Sequence, residues 1–229
     1  MSDGLLSNFH GIGFALESNS MESGKLILFL IASLAVTLSP GPDNLFVLSQ
    51  GIHSRRQSAL LAAWGMVSGL SVHTLLAVLG VSAVIVASPL LFAGIQAAGA
   101  AYLLYLAFVT LRTGAQLEVE HACLAVSDAG MFRRGFLMNV LNPKVALFFL
   151  AFLPQFVMPE IGHARVQMLL LGGIFMVQAW ICFSIIALAA SGIGSLLRRR
   201  AGFARGLNIA SGLILASLAL KLVFELMVS

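Results

Sequence analysis

Two charged side chains of opposite sign lie inside long apolar stretches of the chain. They are Asp43 and Lys144, and each lies next to a proline. A charge at the centre of a bilayer costs about 2.5 to 3.5 kcal/mol on insertion scales, so it is normally buried against a partner or water. The pair therefore predicts a polar site within a membrane, whose charges pair when the site is empty and separate when a substrate enters. The alternative interpretation is a fixed structural ion pair.

The residues around each charge predict a break in a helix. The first break spans residues 38 to 44 and contains two prolines and a glycine, and the second spans residues 139 to 144 and contains one proline. Proline removes a backbone donor and clashes with the preceding turn, whereas glycine allows dihedrals closed to other residues. Broken helices expose backbone groups that can meet a substrate, although a proline is also tolerated as a simple kink. We predict that substrate and protons bind at Ser39, Pro40, Gly41, Pro42, Asp43, Asn44, Asn142, Pro143 and Lys144.

The apolar stretches that must position these residues are long enough to cross a membrane. The chain is 59% hydrophobic and 10% charged, whereas an ordinary soluble domain carries about 25% charged residues. A spanning helix needs about 20 mostly apolar residues, and backbone groups in lipid must bond within their own segment. The sequence therefore predicts an all-α membrane protein with six spans: Leu26 to Leu48, Ala59 to Ala87, Leu90 to Leu111, Phe136 to Val157, Val166 to Ala190 and Leu207 to Phe224.

The positions of the breaks predict an internal repeat. They fall in the first and fourth spans, and an odd number of spans in each half inverts the second copy. A faint similarity between residues 96–100 and 208–212, in spans three and six, supports this interpretation. We predict two inverted three-helix repeats, joined by a cytoplasmic linker and preceded by a disordered extension. Met21 is an alternative translation start, because it begins a compact run immediately before span one. The predicted segments are residues 1–20, 21–112, 113–130 and 131–229.

The basic residues predict how the chain is oriented. Lys and Arg are retained in short cytoplasmic loops, and nine of the 13 Lys and Arg residues follow spans one, three and five. Both termini are therefore expected to be periplasmic. Basic residues in cytoplasmic loops account for the net charge of +4, so no nucleic-acid partner is expected. The lipid bilayer is the expected environment of the protein. The nine residues are Arg55, Arg56, Arg112, Arg133, Arg134, Arg198, Arg199, Arg200 and Arg205.

A second set of polar residues lies in the spans without an adjacent break. These side chains could line a water path for the substrate, or they could simply form hydrogen bonds between helices. His73 follows Gly65 and Gly69 at helical spacing, a pattern that is also typical of close helix packing. We predict no metal site and no cofactor, because the histidines and the two cysteines lack metal-ligand spacing. The residues in question are His73, Gln96, Gln155, Gln178 and Asn208.

Five runs of residues carry a resemblance to a known protein family. They are Ser39-Pro40-Gly41-Pro42-Asp43-Asn44, Gly99-Ala100-Ala101-Tyr102-Leu103, Phe132-Arg133-Arg134-Gly135-Phe136, Asn139-Val140-Leu141-Asn142-Pro143-Lys144 and Phe149-Leu150-Ala151-Phe152-Leu153-Pro154-Gln155-Phe156. In combination they resemble the LysE/RhtB family of amino-acid exporters, and the resemblance extends from about Met21 to the end of the chain. It implies efflux of amino acids across the bacterial inner membrane, driven by the proton gradient or the membrane potential. The family's substrates include lysine, arginine, threonine, homoserine, leucine and cysteine.

The expected function is therefore proton-coupled antiport of an amino acid with alternating access, and not enzymatic catalysis. One alternative is a cation channel or exporter on the same scaffold, which would favour several acidic or histidine side chains at mid-depth, where Asp43 is the only acid. A less favoured alternative is an intramembrane enzyme. It would need a nucleophile with a general base, whereas His73 is the only membrane histidine and no Gly-x-Ser-x-Gly elbow accompanies it.

Overall fold

The computed structural model describes residues 24–39, 41–81, 88–112, 127–158, 163–199 and 201–228. Within these ranges the chain forms helices and no strands. The predicted extension over residues 1–20, the alternative start at Met21 and most of the predicted linker lie outside the described residues. Pro40 also lies outside them.

Eight helices follow one another along the described chain, numbered here in chain order. Helix α3 continues into a π-helical turn over Ala77–Val81, and α6 continues through a π-helical turn, Phe148–Phe152, and a 3-10 turn, Leu153–Phe156. The bounds are Gly24–Leu38 for α1, Pro42–His53 for α2, Arg56–Leu76 for α3, Pro89–Arg112 for α4, Asp128–Val140 for α5, Pro143–Leu147 for α6, Ala164–Arg199 for α7 and Ala201–Val228 for α8.

The helices account for the predicted spans. Helices α3, α4, α7 and α8 are each long and apolar enough to cross a membrane. Two bent pairs bring the number to six if each pair is one span: α1 and α2 meet at 58°, and α5 and the segment beginning at Pro143 meet at 48°. Both bends lie where the prolines predict breaks. The prediction of an all-α membrane protein is thus confirmed, with the fourth span beginning at Asp128 rather than Phe136.

The broken spans pack against helices of the opposite half of the chain, where the two halves are taken simply as residues 24–112 and 127–228. Helix α5 crosses α3 so closely that a Cβ atom on Gly65 would lie 2.0 Å from the Phe132 carbonyl oxygen. A Cβ on Gly135 would lie 2.2 Å from the Ala62 carbonyl oxygen, so only glycine fits at either position. Helix α2 packs on α7, and α4 packs on α8. These contacts hold the two breaks between the halves.

A cluster of phenylalanine rings fills the interior beside the second break. Phe148 and Phe149 are fully buried, and their rings pack against Phe175 of α7 with centroid distances of 5.3 and 5.1 Å. Phe29 of α1 packs edge-on against Phe156, at 5.2 Å between centroids. Aromatic pairs in this distance range are attractive beyond the area they bury. The cluster therefore ties α6 to both α1 and α7.

Candidate substrate site at the two helix breaks

The first break is formed by an extended residue between two helices. Helix α1 ends at Leu38, and α2 begins at Pro42 with Gly41 as its extended N-cap residue, which gives no side-chain cap. A Cβ atom on Gly41 would lie 3.1 Å from the Lys144 ammonium nitrogen. Glycine therefore leaves room for the close approach of the lysine, whereas its extended backbone angles are open to any residue.

Asn44 closes the first break from the other side. Its side-chain amide nitrogen donates to the carbonyl oxygens of Thr37 and Ser39, both at 2.8 Å. The carbonyls at the end of a helix have no partner within the helix. Asn44 thus provides a donor to two carbonyls at the break, one of which, that of Ser39, also accepts from Lys144.

The second break carries its own cap. Helix α5 ends at Val140, and Asn142 caps the next helix, with its side-chain oxygen accepting from the Lys144 backbone amide at 3.0 Å. Pro143 occupies the first turn, where its missing N–H costs nothing. The Asn142 amide nitrogen is left free to donate elsewhere.

Two hydrogen bonds join the breaks into one cluster. The Asn142 side chain donates to the Asp43 carboxylate, and the Lys144 ammonium donates to the Ser39 carbonyl oxygen at 3.2 Å. Asp43 and Asn142 are each 3% exposed and Lys144 is 5% exposed, and the two charges interact electrostatically. The first break therefore supplies Asp43 and the Ser39 carbonyl to a buried polar cluster, and the second break supplies Lys144 and Asn142. Each charge is hydrogen-bonded by a residue of the other break.

His73 lies against the second break. It is 3% exposed, and its Nε2 lies 3.0 Å from the Asn139 carbonyl oxygen near the end of α5. Its ring packs against Phe149 beyond the break, at 5.9 Å between centroids. His73 thus contacts the chain on both sides of the break, and it also interacts electrostatically with Asp43.

Three buried polar atoms around the breaks have no hydrogen-bond partner among the residues that the structure describes. They are the Ser39 hydroxyl oxygen and the side-chain oxygens of Asn44 and Asn139. Buried polar groups are nearly always hydrogen-bonded, so each such atom requires an explanation. A bound polar ligand would supply the missing partners.

The structure places the predicted site residues in two groups. Of those at the breaks that it describes, Ser39, Asp43, Asn142 and Lys144 form the cluster. Gly41 and Asn44 contact it, whereas Pro42 and Pro143 begin their helices with exposed side chains. By contrast, Gln155 donates to the Ala151 carbonyl, and Gln178 donates to the Cys182 sulfur one turn further along its helix. Gln96 is half-buried in α4, and Asn208 is buried in α8.

Two residues near the breaks were not predicted. Thr37 supplies a carbonyl to Asn44, and the side-chain oxygen of Asn139 is buried without a partner in the described chain. The signal for Asn139 was available, since an asparagine within the second motif is unusual in an apolar span. For metal binding, no group of three His, Cys, Asp or Glu residues comes together in the described ranges.

The chain is similar to a known family of membrane proteins. The family model for the LysE type translocator matches residues 34–226. The chain belongs to the LysE type translocator family. An uncharacterized membrane protein of Pseudomonas aeruginosa is 31% identical to this translocator over 85% of the chain and 92% of the relative. A second uncharacterized membrane protein, from Vibrio cholerae, is 32% identical over 74% of the chain and 83% of the relative.

A relative with a stated activity is the leucine efflux protein of Salmonella typhimurium. It is 27% identical, over 85% of this translocator and 92% of the relative. No solved structure matches the chain significantly. The family and the apolar helices together identify a multi-pass membrane transporter rather than an enzyme at the level of the family. The matched region contains both breaks.

Proposed function

We propose that this chain is a secondary active exporter that moves amino acids across the bacterial inner membrane in exchange for protons. The proposal rests on the contact between the two breaks, where Asn142 hydrogen-bonds to Asp43 and Lys144 hydrogen-bonds to the Ser39 carbonyl. Transporters with broken helices bind their substrates where the breaks meet. The leucine efflux protein among the relatives supports an amino acid as the substrate.

The cluster matches the two charges of an amino acid. The start of α2, at Gly41 to Asn44, carries the positive end of a helix dipole and suits a carboxylate. Lys144 adds a full positive charge at the same place, since its ammonium lies beside Gly41. Asp43 is the acceptor for the substrate's ammonium. Binding therefore exchanges two internal contacts, from Asn142 to Asp43 and from Lys144 to Ser39, for contacts with the substrate.

Proton coupling follows if Asp43 also carries the proton. A protonated carboxyl group loses its charge attraction for an ammonium, so the proton and the substrate compete for one side chain. Each then leaves before the other binds, which produces antiport by mutual exclusion. One charge that crosses 100 mV releases about 2.3 kcal/mol, which is sufficient to drive uphill export.

Access to the site requires a movement of the helices. The three side chains that join the breaks are 5% exposed or less, so their packing must loosen on one face at a time. Rocking of one three-helix half against the other, with the breaks as hinges, provides alternating access. We expect the Arg-rich loops to be cytoplasmic and both termini periplasmic. Protease protection of a C-terminal tag in spheroplasts would contradict that orientation.

The direct test of function is export from cells. The protein is expressed in a bacterial strain that lacks its own amino-acid exporters, and the cells are challenged with dipeptides of each amino acid in turn. We expect the cargo amino acid to accumulate less inside cells with the wild-type protein than inside cells with Lys144→Met. Equal accumulation of every amino acid in the two strains would reject amino-acid export.

A second experiment separates substrate binding from proton coupling. We expect Asp43→Asn in proteoliposomes to lose efflux driven by a pH gradient and to keep exchange of labelled substrate with a raised apparent KM. The amide still accepts a hydrogen bond from the ammonium, but it carries no charge and takes up no proton. Efflux that still follows the pH gradient would assign the proton to another residue.

A further inference from the structure

We infer that the site selects amino acids whose side chains carry no charge. This inference rests on the proposed function and concerns only which amino acids are moved. It begins from the charges that the bilayer-embedded part of the chain offers to a ligand. Among the side chains that the structure describes, Asp43 and Lys144 are the buried members of the Asp, Glu, Lys and Arg set. Their charges cancel.

Charge balance favours a zwitterion in this enclosure. An amino acid with an uncharged side chain adds one positive and one negative charge, so the closed site stays neutral. Lysine or arginine would leave one positive charge without a buried carboxylate, and glutamate or aspartate would leave one negative charge without a buried ammonium. An uncompensated charge in the membrane interior is disfavoured on the order of 100-fold.

The carbonyl groups at the first break have little remaining capacity to accept hydrogen bonds from a second ammonium group. The Thr37 and Ser39 carbonyls both accept from the Asn44 side chain at 2.8 Å, and these two contacts remain when the Lys144 ammonium leaves Ser39 for the substrate. A lysine substrate that placed its side chain on Asp43 would therefore have its α-ammonium next to occupied acceptors. A zwitterion has only one ammonium, and Asp43 takes it.

The unpartnered polar atoms of the cluster are neutral as well. The Ser39 hydroxyl and the side-chain oxygens of Asn44 and Asn139 are buried and lack partners in the described chain. They can complete the hydrogen bonds of the substrate's ammonium or contact a hydroxyl or amide side chain. None of them can neutralise an additional charge, so they widen the range of uncharged substrates and do not extend it to charged ones.

The test is a panel of labelled amino acids in proteoliposomes that contain the wild-type protein. Leucine, threonine and methionine represent uncharged side chains, and lysine, arginine and glutamate represent charged ones. We expect counterflow of the best uncharged amino acid to exceed that of each charged one by about 100-fold. Counterflow of a charged amino acid within tenfold of the best uncharged one would overturn the inference and leave the exporter function intact. Counterflow of none of the common amino acids would overturn both.

A designed variant sharpens the result. Asn139→Asp adds a carboxylate at a buried oxygen that has no described partner, beside the second break. We expect it to raise lysine and arginine counterflow, relative to leucine, by at least tenfold. Gln178→Glu is the matched control, because its buried side-chain oxygen also lacks a described partner but lies on α7 beside Cys182. A folded Asn139→Asp variant that changes the ratio no more than Gln178→Glu contradicts the inference, and the wild-type panel decides it if Asn139→Asp does not fold.

Discussion

Helix α5 packs tightly against α3, whereas helix α1 leaves a groove against α7. The predicted repeat makes these two contacts counterparts. Gly135 and Leu34 each lie eight residues before the proline that restarts the broken helix, and Gly65 and Gly173 are each the tenth residue of their helices. A Cβ on Gly65 would collide with a carbonyl at 2.0 Å, whereas a Cβ on Gly173 would meet nothing within 4 Å.

The groove between α1 and α7 has a volume of about 690 Å³ and an apolar lining that includes Leu34 and Gly173. The difference between the two contacts indicates which parts of the molecule have room to move. Helix α1 can approach α7 without a collision at Gly173, but α5 is already at the closest distance that two backbones allow at Gly65. We therefore expect the rocking of the two halves to pivot at the contact of α5 with α3 and to open at the contact of α1 with α7.

The largest difference is expected when the residue types at the counterpart positions Gly135 and Leu34 are exchanged. We expect Gly135→Leu to abolish folding, because even its Cβ would lie 2.2 Å from a backbone carbonyl and overpacking alone costs about 1 to 3 kcal/mol. Leu34→Gly should cost about 1 kcal/mol, mainly from the lower helix propensity of glycine, since the leucine is 41% exposed. The yield of monodisperse protein and the midpoint of thermal unfolding measure both effects. Equal tolerance of the two variants would show that the contacts are not different in kind.

Filling the groove tests whether its volume is used in transport. We expect Gly173→Phe to fold with nearly unchanged thermal stability and to reduce counterflow at least tenfold, because the ring would hold α1 away from α7. Gly173→Ala is the control and should match the wild type in both properties, since its methyl group enters open space. Full counterflow by a folded Gly173→Phe protein would place the movement elsewhere.

The polar contact that fixes α5 is expected to have the smallest effect. His73 and Ile181 are each the eighteenth residue of their helices, but only His73 contacts a carbonyl of the broken span, at Asn139. His73→Leu should lower the free energy of unfolding by only about 1 kcal/mol, because the Asn139 carbonyl still accepts from the backbone N–H of Asn142 at 2.9 Å. Ile181→Leu, on the exposed counterpart, should leave stability unchanged. An equal loss of stability in His73→Leu and Ile181→Leu would show that the contact of His73 with the Asn139 carbonyl does not fix α5.

Much of the architecture could be predicted from the sequence because lipid restricts the choices. Continuous apolar runs indicate the spans, and prolines with glycine indicate the breaks. The association of Asp43 and Lys144 with one region also follows, since isolated charges in a bilayer are disfavoured. The close crossing at Gly65 and Gly69 is confirmed, because a Cβ on Gly69 would lie 2.9 Å from the Asn139 side-chain oxygen.

The internal contacts of the site could not be predicted in the same way. Asp43 and Lys144 interact electrostatically, but the hydrogen bonds that join the breaks, from Asn142 to Asp43 and from Lys144 to the Ser39 carbonyl, depend on how helices distant in the sequence meet. A residue's side-chain type does not reveal which neighbour it will reach across 99 or 105 positions of the chain. Nor does the apolar character of Leu34 reveal a groove, because packed and lipid-facing leucines look alike in a membrane sequence.

In the proposed mechanism, Lys144 and the two breaks form the substrate site. Counterflow of the exported amino acid in proteoliposomes tests it most directly when Lys144→Met is compared with Lys221→Met. Lys221 also lies in a membrane-spanning helix, but its ammonium lies over the rings of Phe152 and Phe156. We expect counterflow near background for folded Lys144→Met, because loss of a buried charge-assisted contact costs several kcal/mol. Counterflow by Lys221→Met should stay within about twofold of wild type. Full counterflow by folded Lys144→Met would contradict the mechanism.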